Sequence, residues 1–294
     1  MNDYIVIAAD AYKSFFFYLL NEISFSTTPW YLNYFWALTL ISLFVYLLEI
    51  LFPWRENQPK IREDFFLDLF YMYFNFFIFK LVFFSPVSAV AKKAFTWLIG
   101  GDSEIVSLFH MPSFPLPVQM VLFFLILDFV QWLTHITLHR FPLLWNFHKV
   151  HHSIRVMGFA GHLRYHWMEN VIYTPVKFLA ILIIGGFEPK NVFLLYYISI
   201  LIGHINHSNI NITYGPLKYI FNNPVMHIWH HAESLPKKHR YGVNFGISLS
   251  LWDYLFRTAY IKESGRDIKL GFKNLERFPK SFTGQMIYPL NKKD

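Results

Sequence analysis

The sequence predicts an all-α fold, an integral membrane helical bundle, and three observations predict it. Of the 294 residues, 54% are hydrophobic and only 15% charged, where soluble domains average about 25% charged. The apolar residues gather into runs about as long as the roughly 20 residues a spanning helix needs. The histidines recur at helical rather than strand spacing, at i, i+3 and i+4.

Composition narrows the chemistry. There is no cysteine, which excludes disulfides, Cys-ligated iron–sulfur clusters, thiolate-ligated haem and a thiol nucleophile. The net charge of +7 sits in loops and toward the C-terminus, beside apolar runs. That placement points to a membrane surface and not to nucleic acid as partner. The chain opens Met1-Asn2-Asp3-Tyr4 without a basic stretch, so no cleaved signal peptide is expected.

Taken in order, residues 4–20 read as an interfacial helix. Tyr31 to Phe52 is a first span, with Glu49 near its end. Phe65 to Ala91 is long enough to cross with tilt, although Asp68 and Lys80 interrupt it. Leu116 to Thr134 is a third span and carries Asp128. Val171 to Phe187 and Val192 to Gly203 are shorter and read as a hairpin around Glu188-Pro189-Lys190-Asn191 that crosses or dips into the bilayer. No repeat or low-complexity linker divides the chain. The expected layout is interfacial and transmembrane helices over 1–115, a histidine-bearing core over 116–260 and a cytoplasmic tail over 261–294, together one functional domain.

Lys and Arg set the orientation. Residues 53–63 hold three of the 26, residues 135–170 four and residues 207–294 thirteen, so the positive-inside tendency puts these segments in the cytoplasm. Thirteen of the 14 histidines lie in or beside them, His110 being the exception. One polar site at the cytoplasmic face follows.

His135 and His139 form H-x3-H. His148, His151 and His152 form H-x2-H-H, and His227, His230 and His231 repeat it. On a helix these positions fall within an arc of about 100°, and i, i+4 histidines are an established ligand spacing. At the chain's histidine frequency roughly 0.03 occurrences of H-x2-H-H are expected by chance, and two are present. Eight imidazoles packed together without metal would leave buried nitrogens unpaired. Eight also exceeds the four ligands of a structural zinc site, so two ions are implied. Imidazole suits iron, zinc and copper alike. No H-E-x-x-H, G-x-S-x-G, P-loop or G-x-G-x-x-G is present, which argues against zinc proteolysis, serine hydrolysis, phosphoryl transfer and dinucleotide binding.

These motifs resemble the three histidine boxes of the fatty acid hydroxylase / sterol desaturase superfamily. They are His135-x3-His139, Trp145-Asn146-Phe147-His148-Lys149-Val150-His151-His152-Ser153 and His227-Ile228-Trp229-His230-His231. Asn223-Pro224-Val225-Met226 before the last box is similar too, as are Asn244-Phe245-Gly246 and Leu251-Trp252-Asp253-Tyr254-Leu255-Phe256-Arg257-Thr258 after it. The resemblance covers residues 116–260. It implies an integral membrane enzyme with two iron ions (zinc in isolated protein), using O2 as co-substrate to hydroxylate or desaturate a lipid: a sterol, a fatty acyl chain or a relative. The eight box histidines would be metal ligands and catalytic. A ninth ligand is implied between the second and third boxes, where His207 matches best and His204, one turn earlier, competes. His166, in Leu163-Arg164-Tyr165-His166-Trp167-Met168-Glu169, resembles a family segment R-x-H-P-x-E with Trp167 in place of proline. His166 and His162, spaced x3, are secondary candidates.

Asp128, Glu169 and Asp253 are candidate hydrogen-bond partners of ligating rings, and Asn244 joins them by its motif. The resemblance further implies an external electron donor, cytochrome b5-like or ferredoxin-like, docking near the basic tail. The membrane is the bacterial inner membrane or the endoplasmic reticulum, with the active site on the cytoplasmic face. The competing readings are a histidine-rich metal transporter or sensor and a zinc-dependent lipid hydrolase.

Overall fold

The computed structural model of the chain describes residues 2–27, 29–98, 111–184, 189–262 and 264–290. Among them every regular element is helical. Extended backbone meets only in isolated bridges, such as Pro53 with Ile210 and Ala232 with Leu270. His110, Phe187 and Glu188 lie outside the described residues.

Helix α1 (Asn2–Ile23) is longer than the expected 4–20 and packs against α4 (Ser85–Leu98). Its last turn is held because Glu22 is fully buried. The Glu22 carboxylate accepts from Thr27 Oγ1 and from Phe35 N, each at 2.8 Å. Helix α2 (Tyr34–Leu51) starts later than Tyr31 because Asn33 caps it, its side chain accepting from Trp36 N at 3.0 Å. Leu38, Ser42 and Val45 face the protein, while Leu40, Leu43, Phe44 and Leu47 are exposed on the other side. That apolar outer face suits lipid.

Helix α3 (Phe65–Tyr73) runs through two π-helical turns, Phe74–Ile78 and Lys80–Phe84, into α4. Asp68, which interrupts this run in sequence, is fully buried between Arg62 and Arg164 instead of facing lipid. Three helices among the described residues are long and apolar enough to cross a membrane: Tyr34–Leu51, Phe65–Ala91 and Leu116–Arg140.

The third of these, α5 (Leu116–Arg140), continues past Thr134. His135 and His139 ended the apolar run in sequence, yet both point into protein, so the helix has no reason to stop there. It stops at Phe141, which is extended (φ −98°, ψ 120°) ahead of Pro142. A residue before proline disfavours helical backbone, and proline is well suited to open the next helix. The resulting reversal lays α6 (Pro142–His152) back against α5.

Helices α7 (Trp167–Ile184) and α8 (Pro189–His207) correspond to the two shorter apolar runs, each reaching the site end further than the run implied, and the connection between them lies outside the described residues. Helix α8 packs on α2 and on the turn Phe159–Leu163, and α5 packs on α7. Short helices α9 (Pro224–His230), α10 (Leu251–Leu255) and α11 (Phe282–Met286) complete the chain. The described part of 261–294 folds back: Leu275, Phe278 and Met286 pack with Tyr71 and Val150.

Candidate metal centre

Nine histidines converge where α5, α6, α8 and α9 meet, and they divide into two groups. His135, His139, His148, His152 and His230 form one. His151, His207, His227 and His231 form the other. Within each group the ring nitrogens that would serve as ligands lie within 4.8 Å of one another.

The division follows from helix geometry. Residues at i and i+4 are about 40° apart, whereas i+3 lies about 60° to the other side of i. The i, i+4 pairs therefore stay together: His135 with His139, His148 with His152, His227 with His231. The i+3 members cross over, His151 to the second group and His230 to the first. Each H-x2-H-H box therefore serves both groups.

Outer contacts define the tautomers. His135 Nδ1 donates to Phe245 O (2.7 Å), His230 Nδ1 to Val243 O (2.8 Å), His151 Nδ1 to Arg164 O (3.1 Å) and His207 Nδ1 to Gly203 O (2.8 Å). His148 Nδ1 donates to Glu169 Oε2 at 3.0 Å. A carbonyl or carboxylate accepts only, so each of these Nδ1 atoms carries the proton and each neutral ring presents a bare lone pair at Nε2.

Those lone pairs face each other. His135 Nε2 and His148 Nε2 stand 3.1 Å apart in the first group, and His207 Nε2 and His151 Nε2 stand 3.4 Å apart in the second. Neither pair can hydrogen-bond while all four rings are neutral. Protonation is opposed by burial, which pushes His148 and His151 down to about 3, with His148's charge adding to the effect on His151. Burial likewise lowers His152, His227, His230 and His231, reinforced by neighbouring rings. In addition, His230 Nε2 and both ring nitrogens of His231 are buried without a hydrogen-bond partner. Buried unpaired nitrogens are costly. A cation in each group satisfies them, so this donor set fits two transition-metal ions.

A turn after α9 carries much of the support. Asn244 has a left-handed backbone (φ 50°). Its Nδ2 donates to Met226 O (2.8 Å) and Tyr260 O (2.7 Å), and its Oδ1 accepts from Tyr260 N at 2.8 Å. This fixes Val243 and Phe245, the two flanking residues whose carbonyls orient His230 and His135. Asp253 holds the same turn by accepting from Phe245 N (2.9 Å), Gly246 N (2.8 Å), Thr258 Oγ1 (2.6 Å) and Trp132 Nε1 (3.1 Å). Asp128 accepts from Ser248 N, Leu249 N and Trp252 Nε1, at 3.2, 3.3 and 2.9 Å. Of the expected carboxylate partners, Glu169 touches an imidazole directly, while Asp253 and Asp128 act through backbone.

Of the other described histidines, His162 packs against the His207 ring, centroids 5.2 Å apart, without joining either group. His204 is fully buried, with Nε2 2.9 Å from Ser42 Oγ and Nδ1 2.9 Å from His162 Nδ1. His166 Nε2 donates to Met286 O at 2.8 Å and its Nδ1 accepts from Met168 N at 3.1 Å, so both nitrogens are engaged. His239 packs on Tyr260, ring centroids 5.0 Å apart. The carbonyls of Arg164, Gly203, Val243 and Phe245 were missed in the sequence, because a backbone acceptor leaves no residue signature.

The fatty acid hydroxylase family model matches residues 120–258, which include all nine grouped histidines. The chain is 28% identical over 186 residues to ornithine lipid hydroxylase OlsE of Rhizobium tropici, a match covering 63% of this chain and 54% of that one. It is 30% identical over 135 residues to alkylglycerol monooxygenase of Caenorhabditis elegans, covering 45% of this chain and 25% of the relative. Against the Homo sapiens alkylglycerol monooxygenase the figure is 29% over 138 residues, 46% and 29% covered. The matches thus span about half the length of the first relative and about a quarter of the others. No solved structure matches.

Proposed function

This chain belongs to the fatty acid hydroxylase / sterol desaturase superfamily, and from that premise we propose that it is a membrane-bound, O2-dependent lipid hydroxylase. The observation that carries the reading is the pair of imidazole groups, each with facing Nε2 lone pairs 3.1 and 3.4 Å apart. We assign His135, His139, His148, His152 and His230 to one iron and His151, His207, His227 and His231 to the other. When bound, the irons supply the redox chemistry that activates O2 toward an unactivated C–H bond.

The chain's residues hold and orient. Glu169 and the carbonyls of residues 164, 203, 243 and 245 keep five rings in the Nδ1–H tautomer, aiming Nε2 inward. Burial of the site keeps the rings neutral and water away. The balance is one oxygen atom of O2 into the C–H bond and the other into water, with two electrons and two protons from outside. A cytochrome b5-like or ferredoxin-like donor, docking on the basic cytoplasmic surface, would supply the electrons. The relatives, a lipid hydroxylase and monooxygenases, favour hydroxylation over desaturation.

A zinc hydrolase of lipid is less well supported. Among the described residues Glu169 is the carboxylate that touches a grouped ring, and it lies behind His148 instead of between the groups, a poor place for a proton shuttle. The test is isotopic. Iron-loaded protein with a reduced donor and a membrane lipid extract is given 18O2, and products are read by mass spectrometry. A hydroxylated lipid carrying 18O is expected. Label arriving from H2(18)O instead, or no oxidised lipid, overturns the reading.

A further inference from the structure

We propose that a cavity between α5, α7 and α8, on the membrane side of the two imidazole groups, seats the substrate's hydrocarbon chain, and that Lys177 donates to a carbonyl oxygen on that lipid. The inference rests on the hydroxylase reading and names the substrate class: chain-bearing lipids with an ester, amide or carboxyl carbonyl.

Helix register locates the cavity. Its wall includes Phe124, Leu127, Gln131, Lys177, Leu195 and Ser199. On α5, Gln131 precedes His135 by one turn, about 6 Å. On α7, Lys177 follows Glu169, the partner of His148, by two turns, about 12 Å. On α8, Ser199 precedes His207 by two turns, again about 12 Å. Three helices of different direction therefore put the same wall one to two turns from the grouped histidines, toward the membrane.

The wall's chemistry sets the ligand class. Phe124, Leu127 and Leu195 are apolar and match a hydrocarbon chain. Asp128, Gln131, Ser199 and Lys177 add polar groups to the wall, and of these Lys177 brings an ammonium among apolar helices, where ionisable groups are costly and functional. Its Nζ donates to Gln131 Oε1 at 2.8 Å and lies 5.5 Å from the Tyr173 ring centroid. Among the described residues it forms no ion pair. Asp128, on the same wall, is held by Ser248 N, Leu249 N and Trp252 Nε1. An ammonium has three donors and no acceptor, so the ligand group it selects is an acceptor. A carbonyl oxygen is the strong acceptor that lipids carry on their chains. A few placed polar groups in a largely apolar cavity fix the orientation of what binds.

The test uses three chain-matched radiolabelled probes, methyl octadecanoate, methyl octadecyl ether and octadecane, with the iron-loaded full chain in detergent. Binding is measured by equilibrium dialysis, and oxidised product in parallel. A hydrogen bond from a charged donor is worth about ten- to a hundredfold. The wild type is therefore expected to bind methyl octadecanoate at least about tenfold tighter than octadecane. Lys177→Met should bring that ratio near one, and Lys177→Arg should retain most of it. A purely structural lysine would weaken all probes together and leave the ratio intact, which overturns the proposal. Equal binding of the probes by wild type also overturns it, whether or not Lys177→Met folds. Wild type that prefers the carbonyl probe but oxidises no lipid would instead refute the hydroxylase reading.

Discussion

His151 Nδ1 donates to the backbone oxygen of Arg164 at 3.1 Å, so one of the grouped rings is aimed by a residue whose own side chain is locked on another helix. Arg164 Nη1 meets Asp64 at 3.0 Å and Asp68 at 3.1 Å, and Asp68 also pairs with Arg62. Asp68, Arg62 and Arg164 are all buried. A continuous line of contacts thus runs from α3, a membrane-crossing candidate, to an imidazole of the second group.

Removing Asp68 takes the ion-pair partner from buried Arg62 and leaves buried Arg164 with Asp64 alone. Breaking a buried pair by deleting one partner costs about 3–5 kcal/mol. Asp68→Ala should therefore unfold at clearly lower temperature in detergent than wild type, with reduced metal content, and Asp68→Asn should fall between. An unchanged melting temperature would show that the network does not hold the loop.

Glu169 acts behind the ring of His148. Losing the hydrogen-bond partner of a ligating histidine typically costs 10–100-fold in metal affinity or activity. Glu169→Ala is expected to show that loss in iron titrations. Glu169→Gln should lose less, because its amide oxygen still accepts from Nδ1. Equal affinity in wild type and Glu169→Ala would remove Glu169 from the site.

His204 and His207 lie one turn apart on α8 but in different surroundings. His207→Ala takes an imidazole out of the second group and should abolish turnover and lower metal content. His204→Ala disturbs the Ser42 and His162 contacts and should retain partial activity and both metals. His151→Ala and His230→Ala should each be inactive, since each supplies the crossing member of its box. The reverse order for His204 and His207 would exchange their roles.

Metal should be held in a ratio of about two ions per chain, since each group satisfies one. Chelation should lower thermal stability, because it leaves lone pairs facing one another at 3.1 and 3.4 Å, and added Fe(II) or Zn(II) should restore it. Elemental analysis near zero after iron-replete expression, or a melt indifferent to chelator, would contradict the assignment.

Orientation can be read by thiol labelling, since the chain has no cysteine. Ser234 and Lys238 are exposed beside the third box, and a cysteine at either should react with an impermeant reagent only in permeabilised cells. Ready labelling of intact cells would place the site on the other face.

The helical class, the three crossing candidates and eight of the nine grouped histidines were legible in the sequence from local periodicity, whereas His207 rested on the family resemblance, with His204 competing. Apolar runs mark α2, the 65–91 segment and α5, and spacing of three and four residues places imidazoles on one side of a helix. The boundaries were less legible. Helix α5 runs to Arg140 because His135 and His139 meet protein and not solvent, and hydropathy does not register what a polar residue faces.

Angle along a helix is a local property, so the sequence by itself determined which rings could point together. It did not determine how far the helices stand apart. The division of nine rings into five and four depends on where α5, α6, α8 and α9 meet, and the pre-proline break at Phe141 makes that meeting possible. The separation of His204 from His207 was likewise tertiary: Ser42 on α2 and His162 in the 159–163 turn engage one ring, while Gly203 O turns the other toward the second group. Backbone carbonyls and buried ion pairs decide such outcomes by distance between segments remote in the chain, and no spacing rule carries that distance.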